Sequence, residues 1–303
     1  MRVFPSSILA LLVVIAASSL VRAATSGADA GTGAPPPARE GLRSPRLYVL
    51  DCGTIRSDSA EDYGLARNEV ADTNMADPCF LVVHRRGVLL FDTGLPGQFA
   101  GHPTVLEGYG LEVSTPLRAQ LEAIGVHPGD VTHLALSHSH FDHIGNAPDF
   151  AGATWIAQKA ELDAVFGKDA REAPPPELQA LTTARKQVIQ GDHDVFGDGT
   201  VVLLFTPGHT PGHQSLYVKL ARTGGVVISG DLYHHDEERT LDRLPADERT
   251  KATPASRRKI ETVLARKHAQ LWIGHSTTFF RREAGVAFVR SSAGIRSSVR
   301  SSS

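Results

Sequence analysis

Short apolar runs recur along this chain from Leu47 to Ile273, separated by Gly, Pro, Asn and Asp. Runs of that length bounded by turn residues read as strands. Leu47–Leu50 opens the series. Phe80–Val83 and Val88–Phe91 flank Arg85-Arg86-Gly87 and predict a hairpin, closed by Asp92-Thr93-Gly94. Val131–Leu136, Thr154–Ala157, Val201–Phe205, Ser215–Leu220, Val226–Ser229 and Leu271–Ile273 complete the set. Helical spacing replaces strand spacing in a few places. Thr115 or Pro116 starts a helix with Leu117, Leu121 and Ile124 on one face, and a second helix runs from the strand at Thr154 through Phe166. Pro174-Pro175-Pro176 breaks the chain before a helical stretch around Leu178 to Ala184. Ala255–His268 places Ile260, Val263, Leu264 and Lys267 on one face. The Gly-rich segment Leu95–Ser114 reads as a loop, either a cover over a functional site or a plain surface insertion. Early strands, a helix and a second strand-rich half predict two β-sheets packed together with helices outside. There is no short internal repeat.

The ends differ from this pattern. Arg2 precedes an apolar run from Ile8 to Ala17, and Val21-Arg22-Ala23 offers a small-residue cleavage site. That reads as a signal peptide over residues 1–23, with export to the periplasm or the medium. The run falls short of the roughly 20 apolar residues a membrane span needs, so no stable span is expected after cleavage. Residues 24–45 are rich in Ala, Gly, Pro and Ser and read as a flexible linker. The folded domain is expected over 46–290, and the Ser/Arg-rich stretch 291–303 as a disordered tail. The chain has 303 residues, 41% hydrophobic, and a net charge of −2, so it carries no basic footprint for nucleic acid. Cys52 and Cys79 are its two cysteines. An oxidising compartment permits one disulfide between them, and two buried free thiols are the alternative.

The candidate chemistry is concentrated in Ser137-His138-Ser139-His140-Phe141-Asp142-His143. His138 and His140 reach one ion from a strand end, and Asp142 and His143, one short turn later, reach a second. Borderline divalent metals such as zinc take nitrogen and oxygen donors of this kind. Three more donors follow apolar runs, each with Gly immediately before: His209 in Thr206-Pro207-Gly208-His209, Asp231 after Ser229-Gly230, and His275 after Ile273-Gly274. Gly lets the backbone bend where the strand ends. Asp92 reads as orienting a donor histidine or its loop. His213 reads as a hydrogen-bonding support and His133 as packing, while His84, His102, His127, His193 and His268 read as surface or loop residues. No G-x-S-x-G elbow points to a serine nucleophile.

The motif H-x-H-x-D-H at residues 138–143, with His209, Asp231 and His275 in order, resembles the metallo-β-lactamase superfamily over roughly Arg46 to Arg282. The resemblance implies a four-layer αββα sandwich with two mixed sheets face to face. It gives His138, His140 and His209 to one divalent ion and Asp142, His143 and His275 to another. Asp231 bridges the two, and zinc is the expected metal. It also implies a shared water that loses its proton near neutral pH and attacks a carbonyl, with Asp142 relaying a proton to the leaving oxygen. Gly208-His209-Thr210-Pro211-Gly212-His213-Gln214-Ser215-Leu216 and Asn74-Met75-Ala76-Asp77-Pro78-Cys79 are most similar to the N-acyl-homoserine lactone hydrolases. The leading expectation is therefore a lactonase acting on a small-molecule substrate. The alternative is another hydrolase on the same site, a glyoxalase II-like thioesterase or a β-lactamase. Only 28 residues follow His275, short of the C-terminal domain of the first, and β-lactamases of this fold lack a bridging Asp. Two departures from the lactonases stand out. Their Tyr three residues beyond the bridging Asp is His234 here, with Tyr233 one earlier; either supplies the hydrogen bond to developing charge, and register favours His234. Ser276 occupies a position that is usually acidic.

Overall fold

The computed structural model describes residues 41–283, apart from 58, 107, 171 and 250. The expected signal peptide, most of the linker, the end of the expected domain and the tail lie outside the described residues. The strands are β1 (Arg46–Arg56), β2 (Met75–His84), β3 (Gly87–Phe91), β4 (Thr104–Leu106), β5 (Tyr109–Glu112), β6 (His133–Ala135), β7 (Thr154–Gln158), β8 (Lys186–Ile189), β9 (His193–Asp194), β10 (Val201–Phe205), β11 (Gln214–Leu220), β12 (Gly224–Ile228) and β13 (Ala269–Trp272). The helices are α1 (Leu117–Ala123), α2 (Phe141–Ile144), α3 (Lys159–Phe166), α4 (Pro176–Gln179), α5 (Asp236–Thr240), α6 (Thr253–Lys267) and α7 (Thr277–Glu283).

Two mixed sheets form. The first runs β4-β5-β1-β2-β3-β6-β7-β8 and the second β13-β12-β11-β10-β9. Alternation sorts the side chains of each strand. Val49, Phe80, Val82, Leu89 and Phe91 turn inward to meet Leu203, Leu216, Val218, Val226 and Ile228 of the second sheet. Leu50, Leu81, Val83 and Leu90 turn outward and are covered by Leu117 and Leu121 of α1. On the far side, Ile260 and Leu264 of α6 cover Leu204, Tyr217 and Val227. Strands buried on both faces need continuous apolar sequence, and β2 is buried at every position. These three interfaces define the αββα sandwich. Lys267 remains with its predicted face, its ammonium 4.5 Å from the centroid of the Tyr217 ring.

Several readings change. Leu95–Ser114 contains the β4–β5 hairpin rather than a plain loop; β5 pairs with β1 from Thr54 to Arg56, and the partner strand is too distant in sequence to be seen locally. The helix expected to Ala184 ends at Gln179, whose carbonyl accepts from the Thr182 hydroxyl at 2.7 Å, a local bond that competes with the helix. Strands β8 and β9 and helices α5 and α7 are too short to announce themselves by period. His84, read as a surface residue, is buried; its ring stacks on Phe196 at 4.3 Å and bonds Asp198 at 3.0 Å.

Cys52 and Cys79 are joined in a disulfide between β1 and β2, so the free-thiol alternative is set aside. Gly94 passes directly over it, where a Cβ would lie 2.1 Å from Cys52 Cβ. The bond spans 27 residues; in the chain-entropy model such a loop contributes roughly 3–4 kcal/mol by restricting the unfolded chain. Cys52→Ala/Cys79→Ala should therefore unfold at lower denaturant by about that free energy. Equal stability of the two proteins, or two reactive thiols in the native protein, would contradict the linkage.

Candidate metal centre

The donors sit on loops that leave the C-terminal ends of parallel strands. β3, β6, β7 and β8 run parallel, as do β12 and β13. The crevice beyond such strand ends is where open α/β sheets gather functional groups. β6 leads into His138–His143, β12 into Asp231 and β13 into His275, while the β10–β11 turn carries His209. The two sheets are tied together here: Gln214 of β11 donates its backbone N–H to Ser137 O at 2.9 Å and its amide to Leu136 O at 2.8 Å.

Seven side chains converge in two groups sharing one member. His138, His140, His209 and Asp231 each offer an atom within 4.8 Å of the others, and so do Asp142, His143, Asp231 and His275. Asp231 lies 3.0 Å from His143 Nε2, 3.2 Å from His275 Nε2, 3.5 Å from His209 Nε2 and 3.7 Å from His138 Nε2. His138 Nε2, His143 Nε2 and Asp231 Oδ1 are buried with no hydrogen-bond partner. Convergent buried imidazole nitrogens and carboxylate oxygens without partners suit a divalent cation, so the donor set fits. Burial alone would raise the Asp231 carboxyl, but the imidazoles of His143, His275 and His138 hold it well below its usual range.

Several donors are held from behind. Asp92 accepts from Ser137 N–H at 2.6 Å and lies 3.1 Å from His143 Nδ1, which is the orienting role its position suggested. His275 Nδ1 donates to Ala76 O at 2.7 Å, and Ala76 N–H donates back to His275 O. His213 supports the Asp231 backbone: its Nδ1 donates to Thr206 O and its Nε2 accepts Asp231 N–H at 3.0 Å. Gly230 makes room for this contact, since a Cβ would lie 2.6 Å from His213 Nε2. Three carboxylates were not legible in the sequence. Glu161 accepts from Ser139, Thr210 and Gly212 N–H and so ties the His140 loop to the His209 loop. Glu248 accepts from His209 Nδ1 at 2.8 Å and Thr253 at 2.7 Å. Glu238 accepts the N–H groups of His234 and His235 and pairs with Arg257.

The residues after Asp231 part company. His234 lines a cleft of about 560 Å³ together with His140, Asp142, His209, Asp231 and His275. Its Nε2 lies 3.4 Å from Asp231 Oδ2. Tyr233 is turned the other way, into the α6 interface with Leu204, Ile260 and Leu264, under the Arg257 guanidinium at 4.1 Å. Alternation along an extended backbone sends the two side chains to opposite sides, so Tyr233 does not reach the cleft. Ser276 bonds Phe279 N–H and Asp236 at the start of α7.

Residues 75–298 match the model of the metallo-beta-lactamase superfamily. The chain belongs to that superfamily. It is 31% identical over 252 residues to the N-acyl homoserine lactonase AttM of Azorhizobium caulinodans, covering 76% of this chain and 92% of that protein. It is 30% identical over 244 residues to the N-acyl homoserine lactonase of Bacillus thuringiensis, with the same coverage. In three dimensions it resembles an N-acyl homoserine lactone hydrolase solved with N-hexanoyl-L-homoserine at its catalytic metal centre. The TM-score is 0.64 at 24% identity, over 80% of this chain and 97% of that one. The fold is thus the metallo-β-lactamase fold, the chain is a hydrolase of that family, and its His/Asp groups imply divalent metals.

Burial raises the Glu248 carboxyl, but the bonds from His209 and Thr253 outweigh it and bring it to about 2 from 4.5. A carboxyl depressed by folding contributes stability that is complete above its unfolded value and is lost as pH falls towards its folded one. Metal-free protein should therefore lose stability between about pH 4.5 and 2 more steeply than Glu248→Gln does, as read from denaturant unfolding across that range. Parallel pH profiles would refute the pairing.

Proposed function

We propose that this chain opens the lactone ring of N-acyl-homoserine lactones, using two divalent ions, zinc in this reading. The supporting observation is the pair of donor groups meeting at Asp231 on the wall of a cleft. His138, His140 and His209 would hold one ion, Asp142, His143 and His275 the other, and Asp231 both. When bound, such a pair acidifies a water towards a pKa of about 7 and polarises the substrate carbonyl. The chain's own residues do the rest. Asp231 sets the distance between the groups. His234, fixed through its backbone by Glu238, presents a ring N–H to the oxygen on which charge develops. Asp142 carries a proton towards the leaving oxygen. Buried strand ends keep these groups in place before substrate arrives, which lowers the cost of orientation.

Protein loaded with metal should contain two ions per chain and hydrolyse N-acyl-homoserine lactones faster than thioesters or β-lactams. His140→Ala and Asp231→Ala should lower the metal content measured by elemental analysis. Full activity with one ion or none would sink the two-ion reading, and preference for a thioester or β-lactam would transfer the site to the alternative hydrolases.

Removing a donor to developing charge costs about 2.7–4 kcal/mol, or roughly 100- to 1,000-fold in turnover. His234→Ala should show a loss of that order at matched metal content, and Tyr233→Phe a small one. Equal, mild effects would mean that His234 contributes no such bond.

A further inference from the structure

The cleft has a second wall, built by a segment with no metal donor in it. Tyr63 closes the short turn Glu61–Tyr63, and Gly64 follows at φ 75°, where a Cβ would lie 2.2 Å from Leu244 O. Only a residue without a side chain tolerates both the left-handed backbone and that approach. Further along, Glu69 pairs with Arg243 at 2.8 Å. This strap is therefore pinned to the stretch that leads to Glu248, and Tyr63 is fixed beside the metal centre. Its ring is buried, tilted against His234 at a centroid distance of 4.5 Å and edge-on to His235 at 4.9 Å.

On its other side Tyr63 joins Ile55, Met75, Leu95 and Leu111, with Tyr109 and Phe141 packed against the cluster. Ile55, Met75, Tyr109 and Phe141 line the cleft with it. Among these side chains Tyr63 and Tyr109 carry the polar groups, two phenols on an otherwise apolar cluster. Each phenol carries one O–H. Both phenols line the cleft, Tyr63 against the ring of His234, so each can donate to a bound substrate.

We propose that the Tyr63–Tyr109 pair is a specificity element: it donates a hydrogen bond to an acceptor oxygen carried beside the reacting carbonyl. The site then favours a lactone bearing an N-acylamino arm over one bearing a plain alkyl arm. An amide oxygen can accept from a phenol O–H on this wall, whereas a hydrocarbon at the same place leaves that donor without a partner. This inference rests on the lactonase reading.

The test compares kcat/KM for an N-acyl-homoserine lactone and for an α-alkyl γ-butyrolactone of matched arm length, on metal-loaded full chain. Wild-type protein should prefer the acylamino substrate. Tyr63→Phe should lower that preference roughly three- to tenfold, the range expected for one neutral hydrogen bond, chiefly through KM. Tyr109→Phe should shift it in the same direction. Both variants are compared at equal metal content and with unchanged circular dichroism. A preference unchanged in both, whether the two rates fall together or hold, overturns the proposal, as does a wild-type enzyme with no preference. A wild-type enzyme that opens neither lactone overturns the lactonase reading and this inference with it.

Discussion

A carboxylate buried among imidazoles governs this structure. Asp231 is 4% exposed and has ring nitrogens of His138, His143, His209, His234 and His275 within 3.7 Å. Removing a charge from water costs several kcal/mol unless partners surround it. No one segment provides those partners. They arrive on four separate loops, so each loop has to be fixed independently and to high precision. Asp92, Ala76, Glu161, Glu248 and His213 do that fixing, and Ala76, Glu248 and His213 each act on a single donor or its backbone. The strand ends give the coarse placement; these contacts give the fine one.

The elements that could be seen in the sequence were those whose signal is local. Paired apolar runs gave the β2–β3 hairpin, and the face of Ile260 and Leu264 gave α6. The His138–His143 run and the Gly-preceded donors were visible because several chemical groups crowd a few positions. Other features rest on partners far away along the chain. The β4–β5 hairpin needs β1, and β8 needs β7. Glu248 meets His209 across 39 residues, and nothing in the sequence near either announces the pair. Tyr233 and His234 differ by one position, and only the direction of the extended backbone separates a core residue from one in the cleft.

The same division applies to specificity. The donor set speaks to the class of chemistry. The strap from Ala60 to Val70 and the 237–248 stretch that receives it carry no donor, yet Asp62, Tyr63, Pro245, Asp247 and Glu248 line the cleft. Such walls are free to vary while the donors stay fixed, which is how one fold serves several substrates. His234 is part of the same picture, since the residue packed against it, Tyr63, comes from the strap.

The donors are drawn from both halves of the sandwich. His138 and His143 follow a strand of the first sheet, and Asp231 and His275 follow strands of the second. Ions held between them would act as removable cross-links across the core. Binding energy is then folding energy, and the depth of the native basin scales with free metal. The lifetime of this protein in its surroundings would then be a readout of metal supply.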